Sequence, residues 1–181
     1  MSGPSSDPLI QKLQVLVGSP GYNYYNDKNK MRADDLLVRQ RASAALAEGA
    51  RALAALEPEY RRRFLPPATR ENPYPPVEAM ESLRALGRLR ARLDDLAAQI
   101  LGMPVPAQDK TWWRFRDEKA LLARLLDFDY QLLLQTSAIG EEAHTLTADA
   151  WQSGTAQARF DTLLGPLDTL IHDRQQLLTR M

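Results

Sequence analysis

Apolar residues recur three and four positions apart along most of this chain, the period of an α-helix with one buried face. Leu9, Ile10, Leu13, Leu16 and Val17 predict a short first helix. Asp7 suits its N-cap and Pro8 its first position, because Asp accepts an orphan N–H and Pro has none to lose. Gly18 closes it. The row Leu46, Gly49, Leu53, Leu56, Tyr60, Phe64 predicts a second helix that starts near Asn29 or Lys30. Asp34 and Asp35 fall in or near its first turns, where negative charge meets the positive end of the dipole. Pro58 lacks an N–H and clashes with the preceding turn, so a kink or restart is expected there. Five prolines within the thirteen residues from Leu65 to Val77 make that stretch a stiff connector.

A third helix is predicted from Pro76 to Leu101, with Ala79, Leu86, Leu89, Leu93, Leu96 and Ile100 on one seam and Ser82 as its polar exception. A fourth is expected to start near Asp109. It carries two adjacent rows, Leu121, Leu125, Phe128, Leu132, Ile139 and Leu122, Leu126, Leu133. Two rows make a wide apolar face, which calls for burial on several sides. The pattern extends through Ala143 and Leu146, as if the helix ran on past Gly140. After Gly154 a last helix shows Phe160, Leu163, Leu167, Leu170 and Leu177, reaching Met181, with a kink expected at Gly165–Pro166. Arg174 interrupts that row. Either it is a buried register-setting charge paired with Asp127 or Asp129, or the seam rotates to Leu164, Ile171 and Leu178 and leaves it outside. The rotated seam is the expectation.

No stretch alternates apolar and polar residues over strand length. The expected fold is all-α, an antiparallel four-helix bundle with a short additional N-terminal helix, in one domain over residues 7–181 after a disordered 1–6. At about 27 residues each, the second and third helices would be about 40 Å long.

Composition narrows the chemistry. The chain has no cysteine, which excludes disulfides, thiolate metal sites and cysteine nucleophiles. Twenty-three basic and 23 acidic residues cancel, against a dedicated polyanion binder. No basic start with an apolar run marks a signal peptide, and no segment approaches the roughly 20 apolar residues of a membrane span. A cytoplasmic location is expected.

Catalytic arrangements are missing. No Gly-x-Ser-x-Gly turn or Gly-rich phosphate loop is visible, and adjacent carboxylates such as Asp34/Asp35 or Asp94/Asp95 point about 100° apart on a helix. These read as solvated faces or dipole partners. Glu141 and His144 have Glu-x-x-His spacing, but a di-metal bundle needs a second such element and two more carboxylates, and neither is in view. Neither a metal nor another cofactor is expected.

Two aromatic clusters remain. Tyr22, Tyr24 and Tyr25 lie among asparagines in a strap between helices; Trp112 and Trp113 lie in "KTWWRFR". Such side chains close the ends of a helical core or dock a protein partner. Arg84, Arg88 and Arg92, every four residues on the third helix, together with Arg114 and Arg116, offer an alternative: a phosphate track with aromatics for stacking bases. Acidic Glu78, Glu81, Asp94 and Asp95 flank the stripe and weaken that reading. The expectation is a non-enzymatic protein that acts through a protein partner or self-association. A subunit of a nucleic-acid-binding complex comes second and a metal-dependent bundle enzyme third.

Overall fold

A computed structural model describes residues 8–17, 28–70, 73–103 and 118–179. They form α1 (Pro8–Val17), α2 (Lys28–Phe64), α3 (Val77–Leu101), α4 (Glu118–Thr145), α5 (Ala148–Gln152) and α6 (Thr155–Thr179), with no strand among the described residues. The fold is all-α, and the short N-terminal helix is present. Residues 1–7, 18–27 and 104–117 lie outside the description. With them go the expectations for a disordered start, the Asp7 cap and the fourth helix's start near Asp109.

The predicted rows are the buried ones. Leu46, Leu53, Leu56 and Tyr60 of α2, Leu86, Leu93, Leu96 and Ile100 of α3, and Leu125, Leu126, Leu132, Leu133 and Ile139 of α4 share one core. α2 is the hub, packing against α1, α3, α4 and α5, while α6 packs on α4.

Side-chain contacts fix the directions. Arg39, early in α2, reaches the carbonyl of Leu101 at the end of α3, and Tyr60, late in α2, donates to the carbonyl of Ala79 at its start. α2 and α3 therefore run antiparallel. α4 and α6 do too, since Arg159 pairs with Glu142 while Arg174 pairs with Asp129. α2 and α4 run the same way. Ala45 lies against Gly140, and Gly49 against Ala143.

That parallel contact is close because it is built from the smallest side chains. A Cβ on Gly140 would stand 3.0 Å from the Ala45 carbonyl oxygen. In an up-and-down bundle two such helices sit on a diagonal, held apart by side chains. Here glycine and alanine let them touch.

α4 runs on past Gly140 and Ala143 as expected but ends at Thr145, short of Leu146, and Thr147 caps a new short helix by accepting from the Ala150 N–H at 3.3 Å. Helix continues through both Pro58 and Pro166, so the second helix does not restart at Pro58. Both rings lie on exposed faces, where water can take the carbonyl that loses its partner. Finally, Arg174 does not lie outside: it is 1 % exposed, on the buried face of α6 with Phe160, Leu167 and Ile171, and near Asp129 as in the buried-charge reading.

Candidate functional site

Three places carry more than core packing: a buried ion cluster, an apolar groove and a pair of concavities lined by charge. The ion cluster joins four elements at one end of the molecule. Asp35 of α2 is fully buried, and its two carboxylate oxygens accept from different arginines. Arg39 Nε donates to one at 2.8 Å, while Arg174 Nη2, arriving from α6, donates to the other. Arg39 Nη1 also donates to the carbonyls of Leu101 and Met103, at 2.7 and 3.1 Å, which caps the end of α3. Arg174 Nη2 lies 3.9 Å from Asp129 Oδ1 of α4, and its Nη1 lies 4.0 Å from the Met103 sulfur. Asp34 is buried beside them.

The reading of Asp34/Asp35 as a solvated pair is thereby corrected: both are buried, and Asp35 is held between two guanidinium groups. Sequence periodicity gave no sign of this, because Asp35 and Arg39 sit one turn apart like any surface ion pair. The signal that could have found it was Arg174 in the apolar row of α6. Within the cluster the arginine donors face the aspartate acceptors.

The apolar groove lies between α1 and α4, lined by Pro8, Gln11, Lys12, Val15, Leu16, Tyr130 and Leu134, with a volume of about 520 Å³. Val15 is 79 % exposed and Leu134 45 %, although α1 already covers part of this side of α4. Lys12 Nζ lies 5.9 Å from the centre of the Tyr130 ring, a cation–π contact on the rim. The wide face of α4 thus exceeds what its neighbours cover.

The charged concavities follow the line where α2 meets α4. The larger, about 630 Å³, is lined by Glu48, Arg51, Ala52, Leu56, Glu59 and His144 among others; the smaller, about 210 Å³, adds Arg41, Ser137 and Glu141. Glu141 and His144 are both exposed. Among the described residues no three histidine, aspartate or glutamate side chains stand close enough to hold a metal ion. The concavities exist because Ala45, Ala52, Ala55, Gly140 and Ala143 leave the seam unfilled.

The other predicted site residues divide. Tyr22, Tyr24, Tyr25, Trp112, Trp113, Arg114 and Arg116 lie outside the described residues. Arg84 and Arg88 are exposed one turn apart on α3, without an ion-pair partner among the described residues. Arg92 is paired with Asp168 of α6. The third tryptophan, Trp151 of α5, went unnoticed in the sequence and proves central to packing: it is buried and its indole N–H donates to the Ser82 carbonyl at 2.8 Å. No described helix is long and apolar enough to cross a membrane. No protein-family model, no curated protein and no solved structure matches the chain.

Proposed function

We propose that the chain is a non-enzymatic assembly protein that works through protein–protein contact. Its partner is a second copy of itself, seated on the groove between α1 and α4, and its long helices serve as a rigid bundle scaffold. The observation that carries this reading is the uncovered apolar surface around Val15 and Leu134. An isologous contact needs one patch that offers both a projection and a hollow. This patch has both, because Val15 stands out beside the trough formed with Leu16, Tyr130 and Leu134. A stable dimer buries about 800 Å² on each partner, so the contact extends along α1 and α4 beyond the trough.

Sedimentation equilibrium over a wide concentration range tests the proposal. The expected result is a reversible dimer that Val15→Glu or Leu134→Glu converts to a monomer with unchanged helical circular dichroism. A wild-type chain that stays monomeric at every concentration removes the self-association reading. The nucleic-acid alternative retains exposed Arg84 and Arg88, but Arg92 is already committed to Asp168. It predicts a salt-dependent shift with single-stranded RNA.

A further inference from the structure

The connector between α2 and α3 is longer than its task. Tyr60, one turn before the end of α2, donates to the carbonyl of Ala79 in the first turn of α3, so the two helix ends stand side by side. Helices so placed are usually joined by about 2–8 residues. Here twelve lie between Phe64 and Val77. Leu65 packs on the core, but every described residue from Pro66 to Glu78 is exposed. Tyr74, at 85 %, is the most exposed large apolar side chain among the described residues, and Val77 stands at 65 %. The backbone beneath them is preset. Pro73, Pro75 and Pro76 hold their own φ, while Tyr74 and Pro75 each precede a proline, which disfavours the helical region for both. Pro76 stands at φ −56° and ψ 129°, the polyproline II conformation. The chain bends at Tyr74, which puts the tyrosine on a corner.

The groups of this segment decide what can hold it. Three of the four residues from Pro73 to Pro76 lack an N–H, so it cannot add to a sheet edge as a strand. The Pro76 carbonyl takes the Met80 N–H at 3.1 Å, whereas those of Tyr74 and Pro75 accept no hydrogen bond among the described residues. Proline rings, one phenol and two free carbonyls complement a groove floored by aromatic side chains that carry ring N–H or O–H donors. We infer that Tyr74–Val77 is a docking ligand for a separate protein domain that reads polyproline II through an aromatic-lined groove. The partner's ring faces take Pro75 and Pro76, a tryptophan or tyrosine donor takes the free carbonyls, and the Tyr74 ring enters a side pocket. Little conformational freedom is lost, because the prolines fix φ and the two helices hold both ends. Arg70, exposed and outside any ion pair among the described residues, suits an acidic rim. The segment shares no residue with the groove between α1 and α4, so a chain that stays monomeric leaves this inference standing.

A photo-reactive phenylalanine analogue at position 74 of the full-length chain, irradiated in the cells that make the protein, reads the contact directly. The expected result is a cross-link to a different protein, at a residue within a cluster of tryptophan or tyrosine side chains. The double variant Pro75→Ala/Pro76→Ala changes two exposed positions and leaves the core untouched. It is expected to keep its helical signal and to lower the yield of that cross-link at least about tenfold. No cross-link at all overturns the inference. So does a cross-link to a second copy of the chain, one to a surface without aromatic residues, or a yield that the double variant leaves unchanged. Loss of the helical signal in the double variant overturns it too, because the prolines would then serve the fold rather than a partner.

Discussion

Trp151 has the largest fully enclosed side chain among the described residues, and it sits on a helix of only five residues. So short a helix has almost no stability of its own. Its place is secured by the indole ring and by the N–H bond to Ser82 of α3. Next to it, Tyr60 of α2 bonds both the Ala79 carbonyl and the Gln152 side chain, so two aromatic residues join α2, α3 and α5. Truncating Trp151 to Ala is expected to cost about 3–5 kcal/mol in urea unfolding, the range for emptying a large buried site. Trp151→Phe keeps most of the apolar body but strands the carbonyl, and about 1–2 kcal/mol is expected. No loss in Trp151→Phe would mean that the bond to Ser82 contributes nothing, and equal losses for the two variants would mean that the apolar body of the ring contributes nothing.

Among the elements, glycine position matters more than glycine number. Gly140 lies where α2 and α4 touch, whereas a Cβ on Gly87 of α3 would meet no other atom within 4 Å. Gly87→Ala is therefore expected to stabilise by about 0.5–1 kcal/mol through reduced backbone freedom in the unfolded chain. Gly140→Ala gains the same local preference but drives a methyl against the Ala45 carbonyl, and a net loss of about 1–3 kcal/mol is expected. Thermal denaturation of the pair checks the contrast in sign. The same elements show what a sequence discloses. The rows of α2, α3 and α4 were readable because leucine spacing reports a buried face directly. The close parallel contact was not, since alanine and glycine look the same on an exposed helix as at a tight crossing. The end of α4 was hidden because Leu146 keeps the period across a break that only Thr147 marks. The ion cluster was legible only in part: a buried Arg174 paired with Asp129 was one of two readings, but Asp35 and Arg39 lie on another helix, and periodicity within one helix says nothing about partners from another. The residues expected to bind a partner lie outside the described residues, and the groove's outward-facing Val15 and Leu134 follow the same spacing as core positions.

For the whole molecule, the direction of the helices sets the order in which contacts can close. The hydroxyl of Tyr60 and the carbonyl of Ala79 are 19 residues apart in sequence, so α2 and α3 can pair at small entropic cost. α2 and α4 point the same way, and the chain must travel up, back along α3 and up again before Ala45 meets Gly140. That closure spans about 95 residues and is worth making only after the shorter one has reduced the search. The tight crossing is thus expected to form late, after the folding transition state. In stopped-flow kinetics Gly140→Ala is expected to speed unfolding and leave the refolding rate nearly unchanged. A slowed refolding limb would place the crossing in the nucleus instead. What looks in the finished molecule like the central seam is, in time, a gap that shuts only after the first hairpin of helices has formed.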